Sequence, residues 1–367
     1  MHAAIVLPPR ELFSDGGTGA VGLLVRGLAK AGHATVLGMP TPDPFDDVPF
    51  TPVPPRWRLA PLAMRYAAGL AATLRPMQPC VIEVHNRPDI AMALARGFPR
   101  TPVVLFLHND PQGMRGARRP AERRLLLRSL AAVAPISAYL RARLLDGVEG
   151  GEATVFPNFV DPAEMPDPAP EQVILFAGRV VADKGADAFV AACALALPRL
   201  AGWRARMIGA DRFGANSPDT PFLRALRPRA AAAGVVMSGW QPRATVLAAM
   251  ARAAITVVPS RWPEPFGLTA LEAMACGSAL LCAPRGGLVD VMGDPTEGAA
   301  VAIDPDDVPA MAEAMVALAQ DPARRAAMAA AGRARAGMFA MDAAHARLAD
   351  LRARAVAGWP QRARHPI

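Results

Sequence analysis

Residues 255–277 read ITVVPSRWPEPFGLTALEAMACG, and this stretch decides the fold class. Its first four residues form a largely apolar run, which predicts a strand buried on both faces. A Pro-Phe-Gly turn follows, and apolar residues then recur at spacings of three and four, as they do along one face of a helix. A strand, a loop and a helix in this order form the repeating unit of parallel α/β sheets.

The same alternation of strands and helices extends along the rest of the chain. The pattern predicts strands at residues 3–7, 35–38, 81–84, 103–107, 133–136, 172–177, 204–208, 235–237, 255–258 and 279–282. It predicts helices at residues 19–31, 63–74, 88–96, 121–132, 138–145, 185–197, 221–233, 243–253, 267–275 and 307–319. The proline-rich stretch 40–61 is expected to be a loop that contains little regular structure. Strands separated by helices imply parallel sheets with right-handed crossovers.

The acidic, proline-rich segment 161–170 is the best candidate for a linker between two domains. A chain of 367 residues is long enough to bury two separate cores. We therefore predict a first domain at residues 1–165 and a second at residues 171–340. The remaining segment, 341–367, begins with a long amphipathic helical pattern rich in Ala and Arg.

Composition predicts a soluble, cytoplasmic protein. Hydrophobic residues make up 52% of the chain and aromatic residues 5%, and no apolar run reaches the roughly 20 residues that a membrane-spanning helix needs. The first residues read as a strand and not as a secretion signal. The four cysteines, at positions 80, 193, 276 and 282, are scattered and form no C-x-x-C motif, which favours a reducing compartment and no structural zinc.

The net charge is +8, and Lys184 is one of only two lysines beside many arginines. A lysine kept among arginines suits a site that needs a compact ammonium between phosphate oxygens. Six arginines also cluster on and before one predicted helix, at positions 115, 118, 119, 123, 124 and 128. They form either a solvated helix face or a contact for anionic lipid or an anionic acceptor. Nucleic-acid binding is disfavoured, because aromatic residues hardly interleave with them.

Glu264 and Glu272 lie eight positions apart, on either side of the turn at Gly267. Gly267 lets amides at the start of the helix approach a ligand closely. Amide donors bind anionic oxygens and carboxylates accept from hydroxyls, so the segment suits a polyhydroxylated molecule that carries phosphate. The alternative is a capped helix with two solvated glutamates.

Several stretches resemble motifs of the family-4 glycosyltransferases, in the same order along most of the chain. The segment 263–272 with its two glutamates is similar to the family's donor site. Residues 15–19 (DGGTG) resemble its glycine-rich acceptor-side loop, and residues 176–185 (FAGRVVADKG) resemble its phosphate-binding segment. Residues 156–161 (FPNFVD) and the paired glycines at 286 and 287 complete the likeness.

This resemblance implies a GT-B fold, in which two Rossmann-like parallel-sheet domains face a central cleft and a C-terminal helix returns to the first domain. It also implies retaining transfer of a hexosyl group from a nucleotide-diphosphate sugar to a glycan or glycolipid, as in lipopolysaccharide or polysaccharide synthesis. No cofactor and no metal is then expected, because Arg179 and Lys184 would clamp the leaving diphosphate. Glu264 would hold the sugar and Glu272 the ribose. The other donor-binding positions would be Gly17, Phe266, Gly267 and Leu268.

Three further positions follow from the same resemblance. His108, directly after the strand predicted at 103–107, would line the sugar pocket, although a strand-end histidine bonded to backbone fits it as well. His85 would contact the acceptor. Trp240 would border the nucleobase, or simply pack in the core. The DPDD segment at 304–307 superficially resembles a metal-binding motif, but capping of the helix that follows explains it better.

Other functions remain open at this point. One is a GT-B-fold nucleotide-sugar epimerase or phosphorylase, and another is a non-catalytic, membrane-associated scaffold. A nicotinamide-dependent oxidoreductase is disfavoured, because residues 15–19 do not match G-x-G-x-x-G. For the transferase, we expect reversible docking on the inner leaflet of the membrane, through Arg119, Arg123 and Arg124, to meet a lipid-linked acceptor.

Overall fold

The structure, a computed structural model, describes residues 2–15, 18–56, 59–212 and 216–362. The chain divides into two compact units, one formed by residues 1–158 with 341–367 and the other by residues 159–340. Each unit contains a six-stranded parallel sheet with helices in the connections, as the sequence predicts. In sequence terms, the division at 158/159 precedes the predicted linker.

The first unit places its strands in the order β3-β2-β1-β4-β5-β6. The strands are β1 (Ala3–Val6), β2 (Ala34–Gly38), β3 (Phe50–Pro52), β4 (Val81–His85), β5 (Val103–Leu107) and β6 (Ala132–Pro135). The helices are α1 (Ala20–Ala29), α2 (Leu62–Met77), α3 (Pro88–Gly97), α4 (Pro120–Ser129) and α5 (Ala138–Leu145). Strands β4 and β5 are buried along their whole length, which explains why their sequences are largely apolar.

The second unit places its strands in the order β12-β11-β10-β7-β8-β9. The strands are β7 (Glu171–Ala177), β8 (Arg204–Ile208), β9 (Val235–Met237), β10 (Ala253–Val258), β11 (Ala279–Cys282) and β12 (Ala300–Ala302). The helices are α6 (Ala186–Ala196), α7 (Pro221–Ala232), α8 (Arg243–Arg252), α9 (Leu268–Ala275), α10 (Leu288–Met292), α11 (Val308–Gln320) and α12 (Pro322–Gly337). The neighbours β7 and β10 lie at the centre of the sheet, so the loops after them come side by side.

The last helix that the structure describes is α13 (Met341–Arg362), which belongs to the first unit. Its buried residues recur at spacings of three and four: Ala344, Leu348, Leu351 and Ala355. The buried side chain of Arg352 donates to both carboxylate oxygens of Glu83 on β4, at 2.6 and 3.0 Å. The predicted return of a C-terminal helix to the first domain is therefore confirmed. No helix in the described part of the chain has the length and apolar content needed to cross a membrane.

Within residues 40–61, predicted to be a loop with little regular structure, the short strand β3 was not predicted. Phe50 pairs with Val36 of β2, and Thr51 pairs with Leu37. This strand has three residues and lies at the edge of the sheet, where a proline is tolerated. A run this short carries no periodic pattern, and the same reason explains why β12 and the five-residue helix α10 escaped prediction.

Candidate functional site

In the second unit, the loop after β7 packs directly on the loop after β10. Gly185 has φ = 70°, and a Cβ there would lie 1.9 Å from the carbonyl oxygen of Pro259. The amides of Arg261 and Trp262 both donate to the carbonyl oxygen of Asp183, at 2.8 and 3.0 Å. Only glycine fits this approach, so Gly185 fixes the position of its neighbour Lys184 against the second loop.

The approach of the two loops brings Lys184 to Glu264. The ammonium donates to Oε1 of Glu264, and the hydroxyl of Ser260 donates to the same oxygen at 2.8 Å. The side chains of Lys184 and Glu264 are 23% and 11% exposed. A largely buried cation thus lies beside a carboxylate that holds it in place, at the carboxyl end of adjacent parallel strands, where open α/β sheets bind ligands.

Two glycines hold the backbone of the Glu264 loop. The amide of Gly287 donates to the carbonyl oxygen of Glu264 at 2.6 Å. A Cβ on Gly286 would come within 2.4 Å of that same oxygen, and a Cβ on Gly287 within 2.5 Å of the carbonyl oxygen of Pro265. The paired glycines that the sequence singles out therefore act by close packing against the loop, and not through side-chain chemistry.

Gly267 begins the helix that follows this loop. It has φ = 108°, precedes α9 directly, and a Cβ there would lie 2.3 Å from Cδ2 of Leu288. Phe266 is buried and packs edge-on against Phe339, with ring centroids 5.8 Å apart. The amides of Ala270 and Leu271 already donate to the carbonyl oxygen of Gly267, so the amides before them, at Leu268 and Thr269, are the ones placed at the helix start to bind an anionic oxygen.

Glu272 lies inside α9 and is bound by an arginine that the sequence analysis missed. Nε and Nη2 of Arg243 lie 3.1 and 3.0 Å from Oε1 of Glu272, and Nη1 of Arg243 donates to Glu164. Burial raises the pKa of Glu272, and the charge of Arg243 partly offsets this. Because Glu264 is 8% exposed and the side chain of Glu272 14%, the alternative of two solvated glutamates is wrong.

Arg179 and Trp240 flank the same end of the sheet. Arg179 follows β7 and is half-buried. It is preceded by Gly178, and a Cβ on Gly209 would lie only 1.8 Å from the carbonyl oxygen of Gly178. Trp240 is half-buried after Gly239, whose carbonyl oxygen accepts from the amide of Gly209 at 2.8 Å. Both side chains therefore lie beside loops that need glycine for close packing.

The acidic segment 304–307 performs structural roles. The carboxylate of Asp307 accepts from the amide of Ala310 at 3.0 Å and so caps α11, as the sequence predicts. Asp304 and Asp306 bind Arg285, at 3.1 and 3.0 Å. In the ranges that the structure describes, no group of three or more His, Cys, Asp or Glu side chains is arranged to hold a metal ion.

In the first unit, His108 and His85 form a buried pair. The histidines lie at the ends of the neighbouring strands β5 and β4, with Nδ1 of His85 2.9 Å from Nε2 of His108. Burial lowers the pKa of His108 to about 4. Burial, together with the nearby His108 and Arg352, lowers the pKa of His85 well below its ordinary value. His85 is 0% exposed, so the expectation that it contacts the acceptor is wrong; its partner is His108.

Near the start of the chain, Glu11 occupies the N-terminal end of α1. Its Oε1 accepts from the amides of Gly19 and Gly22, at 2.6 and 3.0 Å, and from the hydroxyl of Thr18 at 3.2 Å. A carboxylate at this end of a helix is favoured by the helix dipole. Glu11 precedes the glycine-rich loop and belongs to no motif, so its sequence gives no sign of this role. Gly17, predicted to bind the donor, lies outside the described residues.

The arginine cluster does not act as one surface. Arg123 is 2% exposed, and its guanidinium donates to the carbonyl oxygens of Leu144, Ala117, Arg118 and Asp146. It therefore holds the end of α5, and its prediction as an acceptor or membrane contact is wrong. Arg124 is half-buried, whereas Arg119 is exposed. The other exposed members are Arg115, Arg118 and Arg128.

Two family models match almost the whole chain in sequence. The model for Glycosyltransferase Family 4 matches residues 15–164, and the model for Glycosyl transferases group 1 matches residues 161–335. The D-inositol 3-phosphate glycosyltransferase of Segniliparus rotundus is 36% identical over 177 residues, which cover 48% of this chain and 38% of the relative. The lipopolysaccharide core biosynthesis mannosyltransferase LpsB of Rhizobium meliloti is 36% identical over 174 residues, covering 46% of this chain and 47% of the relative.

The chain thus spans less than half the length of these two curated relatives. Solved structures resemble it over nearly its full length. HepE of Anabaena in complex with UDP has a TM-score of 0.77 at 20% identity, over 95% of this chain and 99% of that one. The sucrose-phosphate synthase of Thermosynechococcus elongatus has a TM-score of 0.76 at 19% identity, over 96% and 98%. These structural likenesses show that the fold is GT-B.

Proposed function

The chain belongs to the family-4 glycosyltransferases, and from this premise we propose that it transfers a hexosyl group from a nucleotide-diphosphate sugar to a glycan or glycolipid. The observation that carries the proposal is the contact between Lys184 and Glu264 on adjacent loops of the second unit. That contact joins a cation suited to phosphate with a carboxylate suited to sugar hydroxyls, in one place.

The reaction needs charge stabilisation where the diphosphate leaves. Lys184, held by Glu264 and by the close packing of Gly185, supplies a fixed positive charge, and Arg179, which precedes it in the same loop after β7, supplies a second. Fixed charges that require no reorganisation lower the barrier most effectively. Two such cations serve in place of a metal ion, so we propose a metal-independent reaction that continues in excess EDTA.

The donor is proposed to span α9 and the loop before it. Glu264 accepts from sugar hydroxyls, Glu272 accepts from the ribose, and the amides of Phe266, Gly267 and Leu268 donate to sugar and phosphate oxygens. HepE, a structural neighbour, was solved with UDP and with UDP-glucose, which supports a nucleotide-sugar donor. The likeness to LpsB supports an acceptor in lipopolysaccharide or polysaccharide synthesis.

Transfer is proposed to retain the configuration of the anomeric carbon. The buried histidine pair favours this, because a pKa of about 4 leaves His108 neutral and a weak base at neutral pH. The departing phosphate then takes the proton of the acceptor hydroxyl on the same face of the sugar, while His108 orients the substrate by hydrogen bonding. An anomeric NMR spectrum of the first product distinguishes retention from inversion.

A panel of nucleotide-diphosphate sugars, incubated with glycan and glycolipid acceptors, tests the proposed function. We expect one donor to release its nucleoside diphosphate and to label an acceptor, and Glu264→Gln to slow this. Arg199→Ala serves as the matched control, since it removes an exposed ion pair with Glu313 in the same unit. An epimerised donor with no labelled acceptor would indicate an epimerase, and a requirement for inorganic phosphate a phosphorylase. No consumption of any donor would favour the scaffold.

We also propose that the enzyme works in the cytoplasm and docks reversibly on the inner leaflet of the membrane. Arg115, Arg118, Arg119 and Arg128 are exposed on or before α4, and Leu125 on the same helix is 42% exposed. Each such arginine adds about 1 kcal/mol of attraction to an anionic surface, which falls with salt. The surface excludes Arg123, whose guanidinium is fully used inside the unit.

A further inference from the structure

The histidine pair at the ends of β4 and β5 is held by contacts to both its rings and its backbone. The ring of Phe106 lies parallel to that of His85, at 2° and 4.6 Å between centroids. The amide of His108 donates to Oδ1 of Asn86 at 3.1 Å, so the residue after His85 holds the backbone of His108. His85 thus contacts the ring of His108, and the next residue, Asn86, holds its backbone.

The proton between the two rings can lie on either of two nitrogens. In two neutral imidazoles, one of the facing nitrogens donates and the other accepts. The two outward nitrogens, Nε2 of His85 and Nδ1 of His108, are buried and have no hydrogen-bond partner among the described residues. Each arrangement therefore leaves one unpaired N–H, and the question is which ring carries it.

The positions of the two residues favour the unpaired N–H on His108. His85 is 0% exposed, whereas His108 is 7% exposed at the point where β5 ends. Both outward nitrogens are buried, but an unpaired N–H on His85 has no route to a partner, whereas His108 borders the surface at its strand end, where an arriving substrate oxygen can pair with its N–H.

We infer that His85 is a positioning residue that donates from Nδ1 to Nε2 of His108 and thereby holds His108 as the tautomer protonated on Nδ1. His108 then offers a hydrogen-bond donor, and not a base, to an oxygen atom of the bound substrate. This inference rests on the proposed function for the identity of that substrate, but the tautomer itself does not depend on activity.

The tautomer is measured directly by long-range ¹H–¹⁵N NMR of protein labelled in its histidines. The signals of His108 are assigned by their loss in His108→Gln. We expect Nδ1 of His108 to carry the proton in the wild type and in His85→Asn, whose amide nitrogen can replace the donor. In His85→Phe, which keeps a ring against Phe106 but has no donor, His108 should shift towards the Nε2-protonated form. A wild-type His108 protonated on Nε2 would overturn the inference, whether or not the protein transfers sugar.

Kinetics separate positioning from mere structural support. For His85→Phe we expect kcat to fall about tenfold, the worth of one neutral hydrogen bond, with little change in KM for the donor. His85→Asn should keep most of kcat, and His33→Asn, the same change at an exposed histidine, should alter nothing. Equal losses of kcat in His85→Asn and His85→Phe, with unchanged His108 signals, would reduce His85 to a packing residue.

Discussion

Acid should destabilise the folded chain through His108, by an amount that follows from its burial. Its pKa is about 4 in the folded chain and 6.5 in the unfolded chain, so over that interval the unfolded chain binds the proton and the folded chain does not. Stability that is present above pH 6.5 is therefore lost as the pH falls towards 4. Between pH 7 and pH 5 the loss from this one group is about 2 kcal/mol of unfolding free energy.

Urea unfolding, followed by circular dichroism at pH 7 and pH 5, measures this loss. The wild type should lose about 2 kcal/mol more than His108→Gln, which has no titrating ring. The raised pKa of Glu272 acts in the opposite sense, since that group favours the folded chain more at low pH, but it is common to both proteins and cancels. His33→Gln, at an exposed site, controls for loss of a histidine. Equal losses in the wild type and His108→Gln would refute the claim that His108 is held neutral.

Three further predictions concern the proposed site and surface. Lys184→Ala should lower kcat by about 10²- to 10³-fold in steady-state assays, because it removes a fixed charge at the leaving group, and Lys184→Arg should restore only part of it. Glu264→Gln should chiefly lower kcat, because it contacts the transferred sugar, whereas Glu272→Gln should chiefly raise the Kd of the donor, because it contacts the ribose. Replacing Arg118 and Arg119 by Glu should abolish co-sedimentation with anionic vesicles at low salt and spare hydrolysis of the donor.

Each of these predictions has an outcome that contradicts it. Full activity of Lys184→Arg would show that any positive charge serves at this position. Normal donor binding and normal turnover in both glutamate variants would show that the donor does not bind at α9. If the wild-type protein does not co-sediment with anionic vesicles, the exposed arginines are a solvated face and not a membrane contact. Co-sedimentation with neutral vesicles is the matched control for the charge of the lipid.

The sequence predicts the parallel strands well, because burial on both faces requires continuous apolar runs. The bounds of β5 and α5 match the prediction residue for residue, since each is framed by clear signals, such as Ser137 before α5. Helix α12 was not predicted, because it consists mostly of Ala and Arg and its buried residues, Met328, Gly332 and Ala336, form no stripe of large apolar side chains.

The site was predicted where local motifs define it and missed where distant residues meet. Lys184 and Glu264 belong to separate motifs, which the family resemblance assigned to one donor, and the pairing of β7 with β10 brings the two loops together. Arg243 pairs with Glu272 across 29 positions and belongs to no motif. Charge alone also misassigned Arg123, because sequence does not show that backbone carbonyls of α5 and its following turn surround it.

The most direct test of the central claim is calorimetric titration with a panel of nucleoside diphosphates. If the loops around Lys184 and Glu264 hold the diphosphate, at least one member of the panel binds the wild type, and Lys184→Ala weakens its binding by about tenfold or more, as expected for a charge-assisted contact. Arg199→Ala should leave the Kd unchanged. Binding that Lys184→Ala does not weaken, or no binding of any nucleoside diphosphate, would contradict the account.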